Sequence, residues 1–404
     1  MSSLFTARSF DRRPWHGTVF TESQNVLENG PSMSIRHLAS SLGLSITTVS
    51  RALAGYSDVA PATRERVQRE AARSGYRPNQ VARRLRTGRS GTVGIVVPAE
   101  QGSFDQFFLA MLGAIGPLLS RAGLDLVLMG APPGDAEMHA YRQLVEHHRV
   151  DGVLLARTRR DDPRIRYLID RGMPFVAHGR SETSGSFAYL DLDGEAAFVE
   201  ATERLIGFGH REIGLINASE HYMFAHHRMA GWQRALAAAG LPQGQSLQAE
   251  ATEENGFRLM NALLAGHRPP TAVLCATDRM AVGALHALAS VGLRAGRDVS
   301  VIGYDDLPMA SYTDPPLTTL EQPIPRMAER LVQMLLAIMD GAEPSQFREV
   351  WRARLIARQS DGPLAHKMRR AGKARALGGK HAKEAGRAVR RDVPGTGNRG
   401  STRG

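Results

Sequence analysis

Between residues 91 and 362, short apolar runs alternate with longer segments of helical periodicity, and this alternation constrains the fold more than any other feature. Thr92–Pro98, Asp125–Met129, Val153–Leu155 and Pro174–Ala177 read as buried strands, with an amphipathic helix over Phe107–Ala122. A second series follows: helix Ala196–Phe208, strand Glu212–Ile216, helix Met229–Ala239, strand Ala272–Ala276, helix Arg279–Val291 and strand Val299–Ile302. Apolar strands between helices imply parallel sheets covered on both faces. The 272 residues concerned are too many for one small core, so two α/β lobes are expected. A small ligand would sit between them, at strand C-termini.

The segment before residue 91 obeys a different pattern. Ser34 can cap a short helix carrying Ile35, Leu38, Ala39 and Leu42, and Gly43 breaks it. Ser45 can cap a second helix in which Val49 and Leu53 turn inward. That leaves Ile46, Thr47, Ser50 and Arg51 on the part of the helix that reads base edges in a helix-turn-helix. A third helix begins at Pro61, packs Val67 and Ala71, and stops at Gly75. A basic, helix-competent stretch from Pro78 to Arg86 leads to the first strand.

Two motifs, Leu44-Ser45-x-x-Thr48-Val49-Ser50-Arg51 and Gly75-Tyr76-x-Pro78-Asn79-x-x-Ala82-x-x-Leu85, stand in this order before a two-lobed α/β body. The chain thereby resembles the lactose-repressor (LacI) family from residue 33 to about residue 360. The resemblance implies an all-α helix-turn-helix headpiece at 33–77 and a hinge helix with linker at 78–90. It also implies a periplasmic-binding-protein type I effector and dimerisation domain at 91–362, with crossings between lobes near 191, 320 and 341. The expected function is sequence-specific transcriptional regulation, with repression as its expected sign, controlled by a small carbohydrate. The partners are then a palindromic operator duplex and a second copy of the chain, because a two-fold operator needs two headpieces. Ser45, Ile46, Thr47, Ser50, Arg51, Asn79, Ala82 and Leu85 become the DNA-contacting positions. Arg51 would read a guanine or hold a phosphate, and Leu85 would wedge open a central base step from the minor groove.

Charge is distributed accordingly. Residues 33–90 carry a net +8 and residues 91–362 a net −7, so a basic module sits on an acidic body. Residues 363–404 carry +10 with few large apolar side chains, and read as a disordered basic tail without leucine heptads. Residues 1–32 are polar and unpatterned, either a disordered extension or sequence upstream of a start at Met33. The single cysteine, Cys275, excludes an internal disulfide framework, and no apolar run is long enough for a membrane helix, which fits a cytoplasmic protein. No motif for metal hydrolysis, serine nucleophiles or phosphate loops is present, so neither enzyme activity nor a cofactor is expected. The adjacent histidines at 147–148 and 226–227 would point apart on a helix, which disfavours a metal site. The main alternative, a secreted sugar-binding protein with the same body, is opposed by the headpiece and the lack of a signal core.

For the cleft, the resemblance makes Arg228, in His227-Arg228-Met229-Ala230-Gly231-Trp232, the principal ligand contact, and Asp305, in the strand-end motif Val301-Ile302-Gly303-Tyr304-Asp305-Asp306, the carboxylate contact and its charge partner. Thr277 stands where relatives often have Asn, which weakens it as a contact, and Asp278 is expected to be a helix N-cap instead. In the first lobe the usual acidic ligand is absent, and His178 and Arg180 flank its place. Arg157, Asp105 and Phe107 follow other strand ends, Phe107 and Phe108 being divided between sugar stacking and helix core.

Overall fold

The computed structural model describes residues 34–53, 55–76, 88–98 and 106–364. The chain divides into two compact units, one ending at Thr87 and the other beginning at Gly88. Residues 1–33, 77–87 and 365–404 lie outside the described residues, and with them the readings made for the N-terminal segment, the hinge and the tail.

In the first unit, helices Ile35–Leu42, Ile46–Leu53 and Pro61–Arg73 enclose Leu38, Val49, Ala52 and Val67, all fully buried. Ser34 and Ser45 act as caps: their hydroxyls accept from the His37 and Thr48 backbone N–H groups. Gly43 closes the first helix in the left-handed region that glycine adopts without steric cost (φ 64°).

The second unit holds two parallel sheets. In the first lobe, strands β1 (Thr92–Pro98), β2 (Asp125–Ala131), β3 (Gly152–Leu155), β4 (Phe175–His178), β5 (Ala188–Leu192) and β11 (Arg348–Trp351) run in the order β11-β5-β4-β3-β1-β2. Alternation along each strand divides its side chains between two apolar layers. Ile95, Leu154 and Val176 pack on helices Gln106–Arg121 and Ile324–Met339, whereas Val96, Val153 and Phe175 pack on Asp135–Glu146 and Pro163–Asp170.

In the second lobe β6 (Ile213–Asn217), β7 (Ser246–Gln248), β8 (Ala272–Cys275) and β9 (Ser300–Ile302) run in the order β7-β6-β8-β9. Leu215 and Leu274 face Phe198 and Trp232 of helices Gly194–Gly207 and Met223–Ala238. Val273 and Val301 face helices Glu253–Ala265 and Asp278–Ser290. A two-stranded antiparallel ribbon, β10 (Thr319–Glu321) with β12 (Arg354–Ile356), completes the lobe.

The chain passes between lobes after Leu192, after Glu321 and between Trp351 and Arg354. The third crossing therefore lies about ten residues beyond the expected position near 341. β11 still belongs to the first sheet, where it pairs with β5 in register Trp351↔Leu192. Two further expectations are corrected. The helix expected from Met229 begins at Met223, which puts His227 and Arg228 in its second turn instead of ahead of it. The N-cap before helix Asp278–Ser290 is Thr277, whose hydroxyl accepts from the Met280 N–H, and not Asp278.

Candidate functional site

The second headpiece helix is amphipathic in a useful sense. Val49 and Ala52 are buried, while Ile46, 45% exposed, and Thr47 face outward with Ser45 at the helix start. Ser50 and Arg51 are half-buried beside them. An exposed β-branched apolar side chain on a helix N-terminus suits contact with a thymine methyl group, and hydroxyls and a guanidinium suit polar base edges. Asn79, Ala82 and Leu85 lie outside the described residues.

The second unit contains a cleft between its lobes, with about 1210 Å³ of space between the walls out to its mouth. Phe107, Arg157, His178, Arg180, Arg228, Thr277 and Asp305, all expected from the sequence, line it together. Asp105 lies outside the described residues. Arg157, His178, Arg180, Thr277 and Asp305 converge because each ends or closely follows a parallel strand, and parallel strands present their C-termini to one edge; Phe107 and Arg228 come from the opening turns of helices.

Arg228 is the best-held group. It is 5% exposed, its guanidinium lies 3.6 Å from the Tyr304 ring centre and 4.7 Å from that of Phe224, and its Nη1 donates to the Ala276 carbonyl. Two ring faces and a carbonyl thus hold its guanidinium. Asp305 accepts from the Gln322 side-chain amide at 2.6 Å, on the segment that carries the second crossing. Burial raises the Tyr304 phenol to about 12, so it stays a neutral donor.

In the first lobe an adjacent strand brings a carboxylate to the cleft. Asp191 of β5 accepts from Arg180 Nε at 2.6 Å. His178 stacks on Phe107 with ring centres 5.8 Å apart, and burial, aided by the Arg228 charge, lowers its pKa. Phe107 therefore serves the cleft, while Phe108, 9% exposed, is largely core. Burial and the Arg180 charge likewise lower the pKa of His227. Among the described residues, Arg180 Nη2, His227 Nε2 and Arg228 Nε are buried in the cleft wall without hydrogen-bond partners, an arrangement that costs free energy unless a ligand supplies them.

A fully buried ion cluster supports the loop after β3. Glu137 pairs with both Arg159 and Arg164, and Arg164 also grips Asp162 through Nε at 2.9 Å and Nη2 at 2.7 Å. Arg164 Nη2 further donates to the Arg157 carbonyl at 2.8 Å, fixing Arg157 with φ at 54°. Asp305 (φ 122°) and Asp306 (φ 53°) are similarly held in the left-handed region at the opposite wall. Non-glycine residues there store strain, which concentrates at binding sites.

Comparison with known proteins follows this geometry closely. A family model of bacterial regulatory proteins, lacI family, matches residues 34–79, and one of a periplasmic binding protein-like domain matches residues 202–360. The HTH-type transcriptional regulator AglR of Rhizobium meliloti (strain 1021) is 39% identical over 340 residues, covering 82% of this chain and 95% of that protein. The chain belongs to the LacI family. This LacI-family regulator is also 37% identical over 322 residues to the HTH-type transcriptional regulator RafR of Escherichia coli, covering 79% of the chain and 96% of the relative. Among solved structures, the transcriptional regulator CelR–cellobiose complex is similar at 32% identity and a TM-score of 0.63, over 81% of this chain and 99% of that one. The lac repressor dimer bound to operator and the anti-inducer ONPF is similar at 26% identity and 0.71, over 82% and 99%. The LacI-family chain is accordingly a DNA-binding transcriptional regulator controlled by a small ligand. Among the described residues no helix is long and apolar enough to cross a membrane, and no group of three or more His, Cys, Asp or Glu could hold a metal ion.

Sequence reasoning missed Asp191, Tyr222, Phe224, Tyr304 and Gln322 in this regulator's cleft. Asp191 carried a usable signal, a lone carboxylate near the end of the alternating run Ala188–Leu192. Phe224 fell before the expected start of its helix, and Tyr304, which also belongs to the buried apolar cluster of the second lobe, stood beside Asp305 without being singled out.

Proposed function

We propose that the cleft binds a neutral carbohydrate and that its occupancy sets the affinity of a dimer for a palindromic operator, with repression the sign in the absence of a relieving ligand. The observation that carries this reading is the charge balance of the wall. Among the described residues of the wall, Arg157, Arg180 and Arg228 face Asp191, Asp305 and Glu250, a balance that does not favour an ion. Carboxylates, guanidiniums and a phenol suit a molecule that both donates and accepts hydrogen bonds at many points. The rings of Phe107, Tyr222, Phe224 and Tyr304 suit its apolar faces. In this reading Arg228 forms bidentate hydrogen bonds to vicinal hydroxyls, Asp305 and Asp191 accept from others, and Arg157, His178, Arg180 and Thr277 complete the ring of contacts. The cellobiose in the similar CelR complex supports a sugar of this class.

Asp191 and Asp305 are engaged by Arg180 and Gln322, and among the described residues no activated nucleophile adjoins them, so we read a binding site without catalysis. We place the regulator in the cytoplasm, where operator DNA lies. In the headpiece we assign base contacts to Ile46, Thr47 and Arg51 and backbone contacts to Ser45 and Ser50, with Asn79, Ala82 and Leu85 acting from the hinge.

The test pairs two measurements. Thermal melting against neutral mono- and disaccharides, uronic acids and sugar phosphates should find stabilisation by a neutral sugar. The same sugar should change affinity for an upstream palindrome by about 5- to 150-fold. A response confined to anionic compounds, or a sugar that binds without altering DNA affinity, rejects the reading.

A further inference from the structure

The headpiece holds Arg51 in a way the helix-turn-helix pattern does not require. The second helix ends in a double hydrogen bond: the Gly55 N–H donates to the Ala52 carbonyl at 3.2 Å, and the Tyr56 N–H to the Arg51 carbonyl at 3.1 Å. Gly55 takes φ 78°, the left-handed turn that this helix ending demands. The chain therefore folds back over its own last turn, and Tyr56 and Asp58 meet the Arg51 side chain. The Tyr56 ring centre lies 4.8 Å from the guanidinium carbon. Arg51 Nε donates to Asp58 Oδ1 at 3.2 Å, and Nη2 pairs with Oδ2. Helix Pro61–Arg73 braces the loop from behind, because Arg64 Nη2 donates to the Tyr56 carbonyl at 2.8 Å.

A guanidinium presents two forks, a side-on fork made by Nε and Nη2 and an end-on fork made by Nη1 and Nη2. Asp58 occupies the side-on fork, and the end-on fork stays available on a side chain that is 43% exposed. Carboxylate and ring together remove torsional freedom from a long, rotamer-rich side chain before any DNA arrives, and fixing such a chain in advance reduces the ordering cost of binding. An acidic residue next to phosphates otherwise lowers DNA affinity, so its position against Arg51 calls for a compensating role.

We propose that Asp58 is a positioning residue for base recognition, holding the Arg51 guanidinium so that its end-on fork makes a bidentate contact with one base, guanine being the base that offers two acceptors to such a fork. This rests on the reading that Arg51 contacts a base. Asp58 then determines specificity without touching DNA, with Tyr56 as the platform beneath.

The experiment uses the full chain and a duplex selected by it from a randomised pool, together with every single-base-pair variant of that duplex and a random duplex. Arg51→Ala should lose discrimination at one base pair. Asp58→Asn should lose about tenfold of the discrimination at that same base pair, with binding to random duplex unchanged or stronger. Asp58→Glu, which keeps the carboxylate, should restore much of the loss. Thermal melting confirms that each variant is folded, as expected for an exposed pair. If Asp58→Asn discriminates as the unsubstituted chain does, or shifts affinity equally for all duplexes, Asp58 is only a repelling charge and the proposal fails while Arg51 remains a base reader. If Arg51→Ala weakens all duplexes equally, the reading of Arg51 fails and takes the proposal with it.

Discussion

The backbone N–H of Met223 donates to the carbonyl of Thr158 at 2.8 Å, joining the two lobes across the cleft. Beside it Arg159 and Tyr222 form an antiparallel bridge. Met223 is the first residue of its helix, and Tyr222 offers no side-chain cap, so the other lobe satisfies an N–H that the helix itself leaves unpaired. Proline fits a first helical position, and Tyr222 has the extended backbone (φ −85°, ψ 134°) that a following proline requires. Met223→Pro should therefore delete the inter-lobe bond and leave the helix intact. Relative to Met223→Ala, which shares the loss of side chain, it should weaken sugar binding by about 1 kcal/mol, or about fivefold in Kd by titration calorimetry. Equal affinities would show that the bond persists only as a by-product of closure.

Arg228 is built into its wall, and its removal should separate two functions. Arg228→Ala should abolish the change in operator affinity on adding the sugar, while binding to operator without sugar stays within about threefold of the unsubstituted chain. Truncation also leaves the Ala276 carbonyl without its donor and empties the slot between Tyr304 and Phe224, so a loss of about 2–4 kcal/mol in stability is expected by denaturant unfolding. Arg228→Lys keeps the charge and loses the fork, and should respond to the sugar only at much higher concentration.

Glu137 is the common acceptor of two buried arginines. Glu137→Gln takes from Arg159 and Arg164 the carboxylate they share, leaving Asp162 to pair with Arg164, and should cost about 3–5 kcal/mol of stability. Because Arg164 also holds the Arg157 carbonyl, sugar affinity should fall with it. A folded Glu137→Gln protein with unaltered melting temperature would contradict the supporting role of this cluster.

Acidification should destabilise the effector domain between about pH 7 and 6. His178, His210 and His227 all have folded-state pKa values below the ordinary 6.5, chiefly through burial. The unfolded chain thus binds more protons in this window, and stability falls as pH drops through 6.5. Asp278 acts in the opposite sense, since burial raises it to about 6 and the folded state takes up its proton first. Three histidines outweigh one carboxylate, so melting temperature should decline from pH 7.5 to 6. His210→Gln, outside the cleft, should flatten that decline, and a profile rising over the same interval would reverse the assignment.

What the sequence determined by itself was the order of elements and several of the strand-end residues that line the cleft. Alternating apolar runs and helices dictate two parallel sheets, because strands without a polar face must be covered on both sides. Parallel strands in turn deliver their C-terminal residues to one edge, which is why Arg157, His178, Arg180, Thr277 and Asp305 could be named from local motif and position. Tertiary structure decided who pairs with whom. Asp191 reaches Arg180 in the cleft wall because β5 lies beside β4 in register His178↔Leu190. Arg228 lies against Tyr304 and Phe224 from a helix that starts six residues early, which periodicity could not reveal where His226 and His227 interrupt the apolar pattern. The same holds for Asp58 on Arg51 and Thr158 on Met223. Contacts of this kind depend on where a turn returns or a lobe closes, and those geometries arise from packing between segments whose own sequences carry no record of each other.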